Sequence, residues 1–564
     1  MSRRFTAGAV ATATALALLG AAPAGPAAAA PDTSDDAAEY TVVAEVGTSS
    51  TAAVAAIEAA GGTVVDSTVD VGMYQVVTDD AAFAAKVAAA PALLGAAEKR
   101  PVGYAPRARF DAVEQEHRIA GGRSAGAAGN RGARMDPLDE KLWGLAMMRA
   151  DKSRKVEPGE RGVTVGILDT GIDGQHPDIA PNFSYSLSRN FAPDIVDIDG
   201  ECEVASCLDP VDRDDSGHGT HVAGTIGAAA NGFGLSGVAP KVTLVALKGG
   251  QDSGYFFLDS VVNALVYAGD AGIDVVNMSF YIDPWLYNCL NNPADSAEEQ
   301  ASQRATIEAV NRALRYAHKR GVTLVGSLGN NHEDLGSPRD DTSSPNYGGT
   351  PRLRPIDNAT CWDLPVEGAH VIGVSSVGPS AAKADYSNYG TEQISVAAPG
   401  GWFRDGFGTP THRTYDNTIL SSYPLHVLQE EGAVDADGNI VPGAEAFVVK
   451  ECTAAGVCGY YTYLQGTSMA SPHVSGVAAL IVSRYGKRDT RRGGLTLDPD
   501  KVESHLYRTA DETACPQPRL VSYANEDRSP EWDAYCAGGK NFNGFYGHGI
   551  VDAFAAVTSP LHHR

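Results

Sequence analysis

Basic residues are scarce in this chain: 44 Lys and Arg stand against 69 Asp and Glu, a formal net charge of −25. Such a surplus of negative charge repels polyanions and anionic lipid, which argues against a nucleic-acid binder. After the first few dozen positions no run of roughly 18 apolar residues occurs, so nothing later is expected to span a bilayer. Cysteine is absent before Cys202, and the eight cysteines contain no C-x-x-C pair, which leaves zinc a competitor on paper only. No internal repeat points to a solenoid. What remains is ordinary globular usage, 43% hydrophobic and 20% charged over 564 residues. That length allows about two to four folded units at roughly 150 residues each.

Arg3 and Arg4 precede an apolar, Ala-rich run from Ala7 to about Ala22, and small residues follow at Ala28 to Ala30. Charge, short apolar stretch and small residues, in that order, read as a secretory signal peptide over 1–30. A membrane anchor fits less well because the run is short. Phe5 directly after the arginine pair leaves the export route, general or twin-arginine, open. An even number of cysteines suits an oxidising compartment. Short spacings favour Cys202 with Cys207, Cys452 with Cys458 and Cys515 with Cys536, leaving Cys289 to Cys361, although eight cysteines permit many other pairings.

Residues 38–107 carry a strand at Tyr40–Val46, a helix at Thr51–Ala60, strands at Thr63–Asp66 and Met73–Val77, a helix at Ala81–Ala90 and a final strand near Val102–Ala105. This β-α-β-β-α-β order predicts a small ferredoxin-like α+β domain. Residues 108–136, rich in Gly, Ala, Arg and Ser without a period, read as a linker open to proteolysis. From 137 to 564, continuous apolar strands (Val163–Leu168, Val242–Leu247, Ile273–Met278, Val322–Gly326) alternate with helices (Gly219–Ala229, Leu258–Ala268, Ala305–Lys319). The alternation predicts an α/β fold, a parallel sheet with helices on both faces and its site at the carboxyl ends of the strands. Residues 401–465 break the alternation and read as one long surface insertion.

Four segments carry candidate chemistry. Asp169-Thr170-Gly171 follows a strand, where a carboxylate is ordinarily a turn former. His218 stands between glycines at the mouth of an apolar helix, just before His221; Gly219 occupies the place where a zinc-peptidase H-E-x-x-H helix needs glutamate, which disfavours a metal pair. Ser468 leads a small-residue helix with Pro472 in its first turn, ordinarily a capping position, and Ala470 replaces the last glycine of a G-x-S-x-G elbow. Asn330 follows a strand in Leu328-Gly329-Asn330, ordinarily a turn. Each is bland alone, but together Asp, His and Ser are the set that nucleophilic acyl transfer requires.

The segments Asp169-Thr-Gly-Ile-Asp173, Gly217-His-Gly-Thr-His-Val-Ala-Gly224 and Gly466-Thr-Ser-Met-Ala-Ser-Pro-His473 resemble those of the subtilisin-like serine peptidases. The resemblance covers about residues 137 to 560, and the 38–107 region resembles the family's inhibitory propeptide by element order and position. It implies a subtilisin-like three-layer sheet, with Ser468 as nucleophile, His218 as base, Asp169 fixing the imidazole tautomer, and Asn330 with the Ser468 N–H as oxyanion donors. It implies a substrate extended between Ser253-Gly254-Tyr255 and Ser279-Phe280, with Leu328 and Gly329 alongside. Ser279-Phe280-Tyr281 departs from the family's usual Ser-Leu-Gly, and Leu328 from its usual alanine, so side-chain preference stays open. It implies structural calcium held by Asp178, Asn231 and the backbone oxygens of Ala229, Phe233 and Leu235, with Asp139 as a further ligand; His-Pro-Asp turns and Asn-Gly loops also occur without metal. No organic cofactor is expected.

The expected function is that of a secreted, monomeric serine endopeptidase acting on protein or peptide substrates. Its 38–107 domain is expected to block the site until self-processing removes it. A narrow-specificity processing peptidase or ligase, hinted at by the Phe280–Trp285 segment, is one alternative. An inactive secreted binding scaffold is another, which the loss of a catalytic residue would favour; none is lost.

Overall fold

A computed structural model describes residues 37–99, 136–346, 350–490 and 493–561; the expected signal peptide and nearly all of the expected linker lie outside them. Toward the N-terminus, β1 (Ala38–Ala44), α1 (Ser50–Ala60), β2 (Thr63–Thr68), β3 (Met73–Thr78), α2 (Phe83–Ala89) and β4 (Leu93–Lys99) build an antiparallel sheet of order β2-β3-β1-β4. Ser49 caps α1 and Gly61, at φ 97°, ends it in the left-handed conformation that glycine adopts freely. Tyr40, Val42, Ile57, Phe83 and Val87 fill the core between sheet and helices. The expected strand near 102–105 lies outside the described residues; the described part of this domain is closed by a strand that the sequence reading does not mark, Leu93–Lys99. Its Leu-Leu-Gly-Ala-Ala-Glu-Lys sequence is a weak strand former, and pairing with β1, from Glu39 opposite Lys99 to Ala44 opposite Leu93, makes it one.

There follow, in chain order, β5 (Thr164–Asp169), β6 (Arg189–Asn190), α3 (His218–Gly227), β7 (Thr243–Lys248), α4 (Leu258–Ala271), β8 (Val275–Met278) and β9 (Asn288–Cys289). Next come α5 (Ala297–Lys319), β10 (Thr323–Ser327), β11 (Cys361–Trp362), β12 (Val371–Val377) and β13 (Ile394–Pro399). Seven of these strands form a parallel sheet of order β13-β12-β10-β8-β5-β7-β6. The chain fills one side of β5 with β6 and β7, then crosses to β8 on the other, so a crevice opens at the carboxyl ends of β5 and β8. α5 begins earlier than its apolar pattern indicates, because a capping box of Ser296 and Glu299 starts it within a polar stretch. Val262, Leu265, Val310 and Leu314 of α4 and α5 cover one face of the sheet. Val43, Val71 and Met73 of the N-terminal domain enter that same cluster, and Arg312 Nη1 donates to the carbonyls of Ala44 (2.9 Å) and Val71 (3.2 Å).

The other face carries α3 and α6 (Thr467–Tyr485), packed through Val222, Ile226, Val474, Val477 and Leu480. Residues 401–465, expected as a surface excursion, form a packed layer instead. A sheet of Ile419–Ser422, Cys458–Leu464 and Val448–Cys452 stands there, with Phe403, Leu420, Tyr461 and Tyr463 in a core of their own. Tyr415, Tyr461 and Tyr463 belong to that core, and the hydroxyl disguises such buried positions as polar ones. The disulfides are Cys202–Cys207, Cys289–Cys361, Cys452–Cys458 and Cys515–Cys536, the map expected from local pairing.

Candidate active site

β5 ends at the crevice in Asp169, fully buried, with Oδ1 2.7 Å from His218 Nδ1. His218 is the first residue of α3, and its glycine neighbours have a steric reason. Gly217 has φ 88°, and a Cβ there would meet the Tyr423 ring at 2.4 Å; one on Gly219 would stand 2.1 Å from the Gly171 carbonyl oxygen. The helix mouth is thereby pressed against the turn that carries Asp169. His221 does different work: its Nε2 donates to the carbonyls of Ile419 (3.0 Å) and Thr462 (3.2 Å), tying α3 to the 401–465 layer.

Asp214, which the sequence reading passes over, anchors this corner. It is fully buried and accepts from Thr170 Oγ1 (2.9 Å), Gly217 N (3.0 Å), Thr220 N (2.9 Å) and Thr220 Oγ1 (2.6 Å). It therefore holds both the strand end of Asp169 and the helix mouth of His218. Its available signal is an Asp just ahead of a helix start, an Asx-turn position.

Ser468 sits in the first turn of α6, after Gly466 at φ 152°. Its hydroxyl donates to the Ser279 carbonyl at 3.4 Å, and Ser279 Oγ lies 2.8 Å from Ser471 Oγ. Asn330 Oδ1 accepts from Thr467 N (2.8 Å) and Thr467 Oγ1 (2.9 Å), which fixes the amide and leaves its NH2 as the donor side. His218, Ser468 and Asn330 line one cavity of about 360 Å³ together with Ser253, Gly254, Tyr255, Ser279, Phe280 and Gly329. Phe280 stacks flat on Phe256, ring centroids 4.0 Å apart. Leu328 is a correction: its side chain is fully buried with Leu335, Val366 and Ile394, and its carbonyl accepts from Asn388 Nδ2 at 2.8 Å. At a strand end alternate residues face opposite ways, so Leu328 points into the core while Ser327 and Gly329 face the cavity.

Of the inner wall the sequence reading touches only the Phe280–Trp285 segment. Tyr281, Asp283, Ser343, Asn346 and Asp363 also line the cavity. Asn346 Nδ2 donates to Tyr281 Oη (2.9 Å) and Asp283 Oδ1 (2.6 Å), and Phe256 N donates to Asp283 Oδ2 (2.7 Å). Burial pushes the Asp283 carboxyl up to about 7 and the Asp363 carboxyl well above the ordinary range. Asp283 lies in the Phe280–Trp285 segment already noted as unusual, whereas Asp363 has no local pattern and follows directly on β11, which the Cys289–Cys361 bond ties to β9.

The side chains among the expected calcium ligands, Asp139, Asp178 and Asn231, are taken up by donors of the chain itself. Asp139 accepts from Arg154 Nη1 (2.9 Å), Ser236 N (2.8 Å) and Ser236 Oγ (2.6 Å), so a guanidinium supplies the positive charge. Arg154 Nη2 also donates to the Ser236 (3.1 Å) and Gly237 (2.9 Å) carbonyls. Asp178 accepts from Tyr461 Oη (2.7 Å), Leu235 N (3.0 Å) and Asn231 Nδ2 (3.2 Å), its own carbonyl takes Ala229 N, and Asn231 Oδ1 takes Phe233 N. At these three side chains donors thus occupy the places that calcium would need. Elsewhere, Asp194, Glu203 and Asp209 bring carboxylate oxygens within 4.8 Å of one another and could hold a metal ion.

The sequence pattern of the Subtilase family matches residues 160–549. Subtilisin DY of Bacillus licheniformis is 28% identical over 368 residues, 65% of this chain and 90% of that protein. Fervidolysin of Fervidobacterium pennivorans is 27% identical over 361 residues, 62% of this chain but 39% of that longer protein. Among solved structures, the epidermin leader peptide processing serine protease of Staphylococcus aureus superposes with a TM-score of 0.58 at 21% identity, covering 94% of this chain and 99% of that one. At that identity the likeness concerns the fold.

Proposed function

The chain belongs to the subtilase family of serine peptidases, and on that premise we propose that it is a secreted endopeptidase working through Asp169, His218 and Ser468. The observation that carries the reading is the convergence on one cavity of the Asp169-bonded His218, Ser468 at a helix N-terminus and the Asn330 amide. His218 takes the Ser468 Oγ proton on Nε2 as that oxygen attacks the scissile carbonyl. Asp169, on Nδ1, holds the required tautomer and stabilises the imidazolium. Asn330 Nδ2 and the Ser468 N–H receive the developing oxyanion, and the N-terminal dipole of α6 favours the same charge. The imidazolium then protonates the leaving amine, and water activated by His218 hydrolyses the acyl-enzyme.

Substrate backbone lies extended between the 253–255 and 279–281 edges. The 38–107 domain, seated on α4 and α5, acts as an intramolecular inhibitor, and cleavage within 108–136 releases it. Four disulfides and the N-terminal signal pattern support an extracellular setting; no described helix is long and apolar enough to cross a membrane. The test is casein hydrolysis by the processed chain, with and without a serine-directed phosphonylating reagent, beside Ser468→Ala. Activity lost in both controls supports the reading, as does an uncut Ser468→Ala precursor in a protease-free host. A folded, processed chain that cleaves nothing and takes up no reagent favours a binding scaffold.

A further inference from the structure

We infer that the cavity is a pocket for a basic side chain, arginine or lysine, on the acyl side of the scissile bond, with Asp363 receiving the charge and Asp283 beside it. The inference rests on the peptidase reading above and names the substrate class of the same site.

Asp363 carries the argument. It is 4% exposed, it lines the cavity, and its Oδ2 would lie 3.5 Å from a Cβ placed on Gly329, the residue before Asn330. Among the described residues no N–H or O–H donor and no cation reaches its carboxylate. Its charged neighbour is another acid, Glu367, whose Oε2 accepts from the Asp363 N–H at 2.6 Å. A buried carboxylate facing a cavity without counter-charge is costly for a fold to keep, and a ligand cation supplies the missing partner.

The remaining wall suits a long stem with a charged head. Phe280, Tyr281 and Leu286 offer apolar surface to methylene groups, while Asp283, Ser343 and Asn346 stand ready for the head group. Asp283 is held in place by Phe256 N and Asn346 Nδ2, so it is a fixed second acceptor. An apolar side chain would leave Asp363 unpaired and both carboxylates without a counter-charge, and an acidic one would add a third.

The chain's own composition is complementary. Between residues 108 and 136, where the precursor is to be cut, there are five arginines, no lysine and four acids, within a protein of net charge −25. A pocket for arginine gives the enzyme cutting sites in the segment it has to remove.

The experiment measures kcat/KM of the processed wild type on a fluorogenic peptide series that differs only in the acyl-side residue, Arg, Lys, Phe, Leu or Glu, and sequences the N-terminus of the processed chain. Arg or Lys should exceed Phe and Leu by about 100-fold, Glu should be poorest, and the mature chain should begin after an arginine. Asp363→Asn should lower the Arg value by about 100-fold and spare Phe and Leu, with an unchanged fraction of sites titrated by the serine reagent. Phe or Leu equal to Arg in the wild type overturns the inference, and the wild-type series decides it even if Asp363→Asn fails to fold. A folded Asp363→Asn that keeps its Arg preference overturns it too. Hydrolysis with an apolar preference overturns the pocket alone; no hydrolysis at any residue and no reagent uptake overturns the peptidase reading and the pocket with it.

Discussion

Replacing Arg354 by alanine should destabilise the protein and loosen the wall of the cavity. Arg354 is fully buried. It donates to Asp295 through Nε (3.0 Å) and Nη2 (2.9 Å), to Asp341 through Nη1 (2.9 Å), to Gln303 Oε1 (2.9 Å) and to the Tyr287 carbonyl (3.2 Å). The Asp295 and Asp341 side chains are buried as well, so alanine strands two carboxylates. Deleting one partner of a buried pair costs about 3–5 kcal/mol. Asp295 keeps Arg352 (2.9 Å) and Gln303 (2.7 Å), which holds the loss near that range rather than twice it. At about 2–4 °C per kcal/mol the melting midpoint should fall by roughly 6–20 °C.

The pH dependence has a definite sign. Burial pushes the Asp295 carboxyl up, but hydrogen bonds from Arg354, Gln303 and Arg352 outweigh it and leave the group below its ordinary value. A depressed folded-state pKa gives stability that is complete above the unfolded carboxylate range, near pH 4, and lost as pH falls through the folded value. The gap between wild type and Arg354→Ala should therefore narrow in acid. Asp341 also accepts from Ser343 N (2.7 Å) and Ser344 N (3.2 Å), so the same variant should raise KM. Melting scans at one fixed rate, at pH 7 and in acid, are the assay. A midpoint within about 1 °C of wild type at pH 7, against the shift expected from a broken buried pair, or a gap that widens in acid, would refute the reasoning.

Asp169→Asn should leave the circular dichroism spectrum intact and lower kcat by about 10⁴, the size attached to losing the correct histidine tautomer in a Ser-His-Asp triad. Asn330→Ala should lower kcat by about 10² to 10³ with KM little changed, a figure taken from the equivalent donor in subtilisin rather than worked out from this cavity; a loss confined to KM would place the amide outside the oxyanion site. Arg154→Ala strands the buried Asp139 and should cost about 3 kcal/mol, by the same amount with and without a calcium chelator; a difference that appears only with calcium would reinstate the metal at that loop.

The residues proposed for catalysis stand out in the sequence because they sit in short, sterically constrained segments: the glycines around His218 are demanded by contacts with Gly171 and Tyr423, and they mark the helix mouth in the sequence itself. The parallel strands are legible because both their faces are buried. What escapes is whatever depends on distant partners. Asp139 and Asp178 look like calcium ligands until Arg154 and Tyr461 arrive from elsewhere in the chain. Leu328 looks like a wall residue until the sheet fixes which way it faces. The 401–465 layer is hidden by tyrosines, and Asp363 by the absence of any pattern around it, since only the folding of β11 against β9 brings it beneath Gly329.

The most direct test of the central claim is peptide-level mass spectrometry of the processed protein after treatment with a fluorophosphonate. The account predicts a single adduct, on Ser468, that disappears in His218→Ala while that variant stays folded. A folded, processed chain that carries no adduct, or carries one at another serine, would contradict it.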